Sequence, residues 1–154
     1  MNVQHSVIIH RPLEEVFAFV TDLRNETRWQ PDIRAVTLLE PIAAGATFIE
    51  ERVTFGCRFT WRFRVTRFDA PHAIAIETLA GAAPYRGARE FTAVPGGTRV
   101  TETGELRLPL ALRPFRAPLS RLSQRPLRQA YARLKAMLEA GAAERPCARA
   151  AAGA

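Results

Sequence analysis

Between Ile33 and Leu108 the chain is cut into short runs by recurring turn signals, and this punctuation leaves little room for anything but an antiparallel sheet. Pro41 to Gly45, Phe55-Gly56, Asp69-Ala-Pro-His72 and Gly81 to Pro84 all combine residues that favour chain reversal. Pro95-Gly96-Gly97 is the clearest hairpin signal of the chain. Six strands are predicted, at about 33–39, 47–54, 57–68, 73–79, 85–94 and 98–108. A further strand over Val3 to Ile9 precedes them, with Val7 and Ile9 alternating with Ser6 and His10.

Helices bracket the strands. Pro12 stands where helices begin, Leu13, Val16, Phe17 and Val20 follow at helical spacing, and Glu14 and Glu15 suit the positive end of the helix dipole. Asp22 and Asn25 are natural caps, so a second short helix carrying Trp29 is expected to end before Pro31. The last apolar stripe runs from Phe115 through Leu119 and Leu122 to Leu127, Tyr131, Leu134 and Leu138. Pro126 divides it, and the stripe changes phase there, which predicts a kink or short break near Arg125. Gly141 supplies a stop, and residues 142–154 read as a disordered tail after a single domain spanning 1–141.

Strict alternation along paired strands turns these turns into a register. A two-residue turn at Phe55-Gly56 sets Thr54 against Cys57 and puts Phe48, Glu50 and Arg52 on one face with Phe59, Trp61 and Phe63. The turn at Asp69 to His72 adds Ile74, Ile76 and Thr78 to that face. A turn at Gly96-Gly97 sets Phe91 opposite Glu102 and Arg89 opposite Gly104, leaving Arg89 diagonal to Glu102. The aromatics select this face as the inner one. It then also holds Glu50, Arg52, Arg89 and Glu102, more ionisable groups than a plain core carries.

Composition excludes several classes. A net charge of +7 raises the question of nucleic acid, but 21 of the 22 basic residues are arginine, scattered along the chain with no zinc-finger, helix-turn-helix or aromatic RNA-binding motif. No nucleic-acid partner is expected. No apolar run approaches the roughly 20 residues that span a bilayer, and Met1 to Gln4 lack a signal-peptide pattern, so a cytoplasmic protein is expected. Cys57 and Cys147 make neither a disulfide framework nor a metal site, and Cys57 is expected as a small core or rim residue. His5, His10 and His72 have no metal-ligand spacing, and no Gly-rich phosphate loop follows a strand. Neither metal nor cofactor is predicted.

The residues Val7-Ile-Ile-His-Arg-Pro12, Glu15-Val-Phe17, Asp22 and Trp29 resemble the opening of the START-like (SRPBCC) superfamily, especially its polyketide cyclase/dehydrase branch. Gly45 before a strand, Gly56 at a hairpin, Gly97-Thr-Arg-Val100 and Leu134-Lys-Ala-Met-Leu-Glu139 are similar to that family at corresponding points, so the resemblance covers about residues 3 to 140. It implies an α+β helix-grip fold: a seven-stranded curved antiparallel sheet wrapped around a long C-terminal helix, with two short helices after the first strand.

The resemblance also implies a cavity between sheet and helix for a hydrophobic or amphipathic small molecule, lipid-like or polyketide-like. Its lining is expected to include Phe48, Arg52, Phe59, Trp61 and Phe63 from the first strands of the long run. Ile76, Tyr85, Arg89 and Phe91 follow from the next two, and Leu119, Leu122 and Tyr131 from the helix. Trp29 joins them as a packing anchor that also reaches the ligand. Binding without turnover is the leading expectation. The alternative is a polyketide cyclase/dehydrase-type enzyme in which Glu50 or Glu102 removes a proton next to a ketone and Arg52, Arg89 or Tyr85 polarises the carbonyl. Arg113, Arg116, Arg121, Arg125 and Arg128 among apolar residues read first as the solvated face of the helix and second as a weak contact for an anionic membrane. A monomer and a homodimer are equally compatible with the sequence.

Overall fold

The computed structural model describes residues 1–54 and 56–141. The expected tail, with Cys147, and Phe55 of the expected turn lie outside the described residues. Strand β1 (Asn2–Ile9) is followed by helix α1 (Leu13–Thr21), a 3-10 turn (Leu23–Asn25) and helix α2 (Glu26–Trp29). Strands β2 (Ile33–Leu38), β3 (Thr47–Thr54), β4 (Cys57–Asp69), β5 (Ala73–Ala80), β6 (Tyr85–Val94) and β7 (Gly97–Leu106) then lead through a 3-10 segment (Leu110–Phe115) to helix α3 (Arg116–Glu139). All strands join one antiparallel sheet in the order β1-β7-β6-β5-β4-β3-β2. This is the expected helix-grip fold.

Local chemistry explains the element ends. The Val16 amide donates to the Pro12 carbonyl at 3.1 Å, and Glu14 and Glu15 occupy the first turn of α1. The Asp22 carboxylate accepts from the Arg24 amide at 3.3 Å and so caps the 3-10 turn. Gln30, which precedes Pro31, is extended at φ −100° and ψ 106°, and α2 stops there. Bulges in β4 between Arg62 and Phe63 and between Val65 and Arg67, and in β2 between Ile33 and Ala35, add bend to the strands that curl the sheet.

The core forms where α1 and the second half of α3 meet the inner face. Phe17 of α1 packs edge-on against Phe91 and tilts against Phe68, while Ala130, Tyr131, Leu134 and Leu138 of α3 are buried with Phe48, Phe63 and Val100. Cys57, expected at the core or rim, is exposed. It is the first residue of β4, beside Gly56, and its side chain belongs to the end of a projecting hairpin.

Two further expectations are corrected. Helix α3 runs unbroken through Pro126. Pro126 is exposed, and so is Leu122, whose carbonyl the missing N–H would have bonded, so water can serve that carbonyl without a break. The change of phase instead ends the packing: Phe115 and Leu122 are exposed and Leu119 is only half-buried, whereas the stripe from Leu127 onward joins the core.

The β6–β7 register is the other correction. Val94 pairs with Gly97, Phe91 with Val100 and Arg89 with Glu102, so the two turn residues are Pro95 and Gly96, with Gly96 at φ 81°. Proline followed by a positive-φ glycine suits a type II turn. The observed register is displaced by two residues from the expected one. An even displacement preserves the faces, so Arg89 and Glu102 remain inside and move from diagonal to directly opposite.

Gly97 is held by a close approach. A Cβ there would lie 2.2 Å from the Ile9 carbonyl oxygen, where β1 and β7 meet. Gly97→Ala should therefore lose roughly 1–3 kcal/mol of stability as the backbones part. Urea denaturation measures it, and an unchanged midpoint would show that the β1 end yields freely.

Candidate functional site

The inner face collects charged groups from four elements and a phenol from a fifth. Strand alternation places Glu50 and Arg52 of β3 on one side, two residues apart, and the β6–β7 pairing sets Arg89 against Glu102. Helix α2 lowers Glu26 onto them, and α3 contributes Tyr131. Arg89 donates from Nε to Glu102 Oε2 at 3.2 Å and from Nη1 to Glu26 Oε1 in a shorter contact. Its guanidinium lies 5.2 Å from the centre of the Trp29 ring. The Tyr131 hydroxyl donates to the same Glu102 oxygen, and His5 tilts against the Tyr131 ring at 5.2 Å. Arg52 donates from Nε to Glu50 Oε1 and from Nη1 to Asp32 Oδ2, the latter at 2.8 Å.

Charge and burial together set the protonation of this cluster. Glu26 and Glu50 are almost fully buried, and the Arg89 and Glu102 side chains are only 12% and 13% exposed. Three interior glutamates face two arginines, since Asp32 sits at the rim with more than a third of its side chain in water. Burial pushes the Glu26 carboxyl up to about 7, Glu50 pushes the same way, and Arg89 opposes both. Burial alone would discharge Arg89, but Glu26 and Glu102 hold it charged and above its ordinary value. Burial and Glu102 raise Tyr131 and Tyr85, which stay neutral phenols. Burial and Arg128 lower His5.

The other expected lining residues fall into three groups. Phe48, Phe63 and Phe91 face inward but are packed into the core at 0–4% exposure, and Trp29 is wholly buried beneath Arg89. Phe59, Trp61, Ile76 and Tyr85 are half-buried on the same face. Trp61 stacks on Phe63 at 5.9 Å, and Tyr85 lies across Gly87 and Gly104, where an added Cβ would come within 2.7 and 2.6 Å of its hydroxyl. Leu119 is half-buried, while Leu122 is 54% exposed and outside the packed core. Leu122 precedes the point where the apolar stripe turns onto the sheet.

Sequence reasoning missed Glu26 and Asp32. Glu26 carried a usable signal: it lies three residues before Trp29 on the same short helix, so a buried Trp29 brings Glu26 to the same side. Asp32 follows the helix in an irregular segment, where spacing gives no direction. Two buried donors, Trp29 Nε1 and Gln30 Nε2, have no acceptor among the described residues. No three His, Cys, Asp or Glu side chains among the described residues converge as metal ligands. A shallow groove of about 670 Å³, lined chiefly by outward residues such as Gln4, Glu77, Arg86 and Thr103, occupies the opposite side of the sheet from the cluster.

A sequence model of the family described as polyketide cyclase / dehydrase and lipid transport matches residues 1–139. Among solved structures, the chain is similar to TTHA0849 from Thermus thermophilus, with a TM-score of 0.78 and 20% identity over 92% of this chain and 99% of that one. It is also similar to the di-domain ARO/CYC BexL from the BE-7585A biosynthetic pathway, with a TM-score of 0.72 and 22% identity over 95% of this chain and 51% of that one. The ginseng major latex-like protein 151 from Panax ginseng gives a TM-score of 0.68 and 15% identity over 88% and 95% of the two chains. At these identities the likeness is one of fold. No curated protein matches the sequence.

The Glu26 carboxyl makes stability depend on pH with a definite sign. Its pKa is raised from 4.5 to about 7, so between those values the folded chain keeps a proton that the unfolded chain has lost. Stability is therefore highest at the acidic end of this window and falls, by on the order of 3 kcal/mol, as pH rises through it. Glu26→Gln fixes the neutral form, so it should remove the slope and exceed the parent in stability at about pH 8. Urea titrations of both chains across the window test this, and parallel profiles would exclude Glu26 as the titrating group.

Proposed function

Because the chain belongs to the polyketide cyclase/dehydrase and lipid transport family, we propose that it binds a small hydrophobic or amphipathic molecule, lipid-like or polyketide-like, between its sheet and α3. One observation carries the reading. Phe59, Trp61, Ile76 and Tyr85 stand on the concave face yet stay half-buried, on the same side of the sheet as the charged cluster and at the margin of the core. An apolar body lying on these side chains removes their remaining surface from water, at about 25 cal/mol per Å². Its polar end then meets Arg52, Glu50 and their neighbours, in keeping with mostly apolar sites that carry a few placed polar groups.

The enzymatic alternative uses the same space. Glu50 or Glu102 would act as base and Arg52, Arg89 or Tyr85 as donor. Both carboxylates are already hydrogen-bonded to an arginine, and Glu102 also accepts from the Tyr131 hydroxyl, so each is engaged in holding the fold together. Binding without turnover is the better-supported reading.

Native mass spectrometry of the chain with a panel of lipids and aromatic polyketides tests both. A retained one-to-one complex of unchanged ligand mass is expected, with Trp61→Ala weakening it by about tenfold, the loss of roughly 1.4 kcal/mol of apolar contact. A ligand released with a new ring or one water fewer would shift the reading to the enzyme. Retention of nothing would defeat both.

A weak contact with an anionic membrane is the accompanying proposal for ligand exchange. Residues 106–138 contain no Asp or Glu, and within them Leu110, Phe115 and Leu122 are exposed beside exposed Arg113, Arg121 and Arg125. Among the described residues no helix is long and apolar enough to cross a membrane, so the contact would be one of surface. Co-sedimentation should occur with phosphatidylglycerol vesicles, weaken with salt, and fall in Arg121→Glu. Equal binding to phosphatidylcholine alone would argue against the arginines.

A further inference from the structure

We infer that Tyr85 is an internal competitor for the ligand: its ring occupies a seat over Gly87 and Gly104 that the ligand's apolar body takes on binding. This deepens the binding reading and rests on it.

The two glycines carry the inference. Gly87 of β6 and Gly104 of β7 are paired directly across the sheet, and alternation puts both on the concave face next to the pair of Arg89 and Glu102. Neither has a positive φ, and the β6–β7 register runs through them without a bulge, so backbone geometry requires no glycine at either place. A glycine inside a strand then marks a close approach to the bare backbone. Here the approaching group is Tyr85: the hydroxyl end of its ring lies where both Cβ atoms would be, 2.7 Å from one and 2.6 Å from the other. Half-buried Ile76 pairs with Gly87 on one side and half-buried Val3 with Gly104 on the other, so the floor has apolar flanks.

Packing alone holds the ring in this seat. The Tyr85 hydroxyl has no hydrogen-bond partner among the described residues, whereas the Tyr131 hydroxyl is bound to Glu102. A half-buried phenol without a partner forgoes hydrogen bonds that water would give it. The ring meets Phe63 edge-on at 6.3 Å, toward the far end of the range over which rings interact. It also has somewhere to go, because Gly81, Ala82 and Pro84, just ahead of it in the chain, are exposed. The backbone need not follow: the Tyr85 amide donates to Thr78 Oγ1 at 3.1 Å, and the ring turns about its own side-chain bonds. The floor it uncovers consists of peptide groups with paired strands on both sides, which an apolar body can cover without stranding a polar atom. Once off the floor, the ring borders the ligand and its own remaining surface is covered from the side.

A seat filled from within lowers the apparent affinity by the fraction of time it stands free, so a ring present for about nine-tenths of the time weakens binding about tenfold. Nile red is a neutral apolar dye, which keeps the surface arginines out of the measurement. Its fluorescence titration should give a Kd about tenfold lower for Tyr85→Ala than for the parent chain. That is opposite in sign to the loss expected for Trp61→Ala, whose side chain supports the ligand. The movement itself is read in the parent chain labelled with fluorotyrosine. Its two tyrosines give two fluorine NMR signals, and the one that Tyr85→Phe removes belongs to Tyr85. Saturating dye should shift that signal toward its position in the urea-unfolded chain, while the Tyr131 signal keeps its folded position. This measurement needs no cavity-forming variant, so it decides the case even where Tyr85→Ala does not fold. An affinity of Tyr85→Ala equal to or weaker than the parent's overturns the inference and leaves the binding reading intact. So does a Tyr85 signal that stays at its folded position in saturating dye. Dye bound by neither chain overturns both.

Discussion

Arg89 is the group on which the interior depends. A guanidinium cannot shed its proton in a protein, so placing it inside a sheet obliges the fold to surround it with acceptors. Glu102 arrives by strand pairing, Glu26 by a one-turn helix, and Trp29 of that helix covers the flat face of the cation. Tyr131 then ties α3 to the same Glu102 oxygen. The position of α2, the β6–β7 register and the attachment of α3 are thus linked through one side chain.

The solution carries a surplus. Two arginines are met by three interior glutamates, and a low-dielectric interior does not tolerate an unmatched charge, so one carboxyl keeps its proton far above the pH at which it would lose it in water. A plain core of apolar side chains would have cost less to assemble. The cost is concentrated beside half-buried aromatics on the concave face.

Helix α3 divides accordingly. After Pro126 its apolar residues enter the core, and before it they meet water among arginines. The half of the helix that packs holds the fold, and the half that does not presents Leu122, Arg121 and Arg125 to water.

Much of this was legible beforehand because periodicity and turn chemistry are local. Alternation put Glu50, Arg52, Arg89 and Glu102 on the inner face, the glycines and prolines marked the strand ends, and the family resemblance supplied the order of elements. A mistaken pair of turn residues moved β6 against β7 by two positions without moving any side chain to the wrong face, since the strand repeat is two. The arrival of Glu26 at Arg89 from 63 residues away was decided by how α2 docks, and spacing along the chain does not encode that. Burial was likewise decided in three dimensions: Leu119, Leu122 and Leu134 look alike in a helical stripe, but only Leu134 lies where the sheet curves to meet it. The sequence by itself determined which residues share a face, because backbone geometry repeats every two or 3.6 residues. Tertiary structure alone decided which of those faces touch, and so which charges must share a proton, because such energies depend on distance and on the exclusion of water.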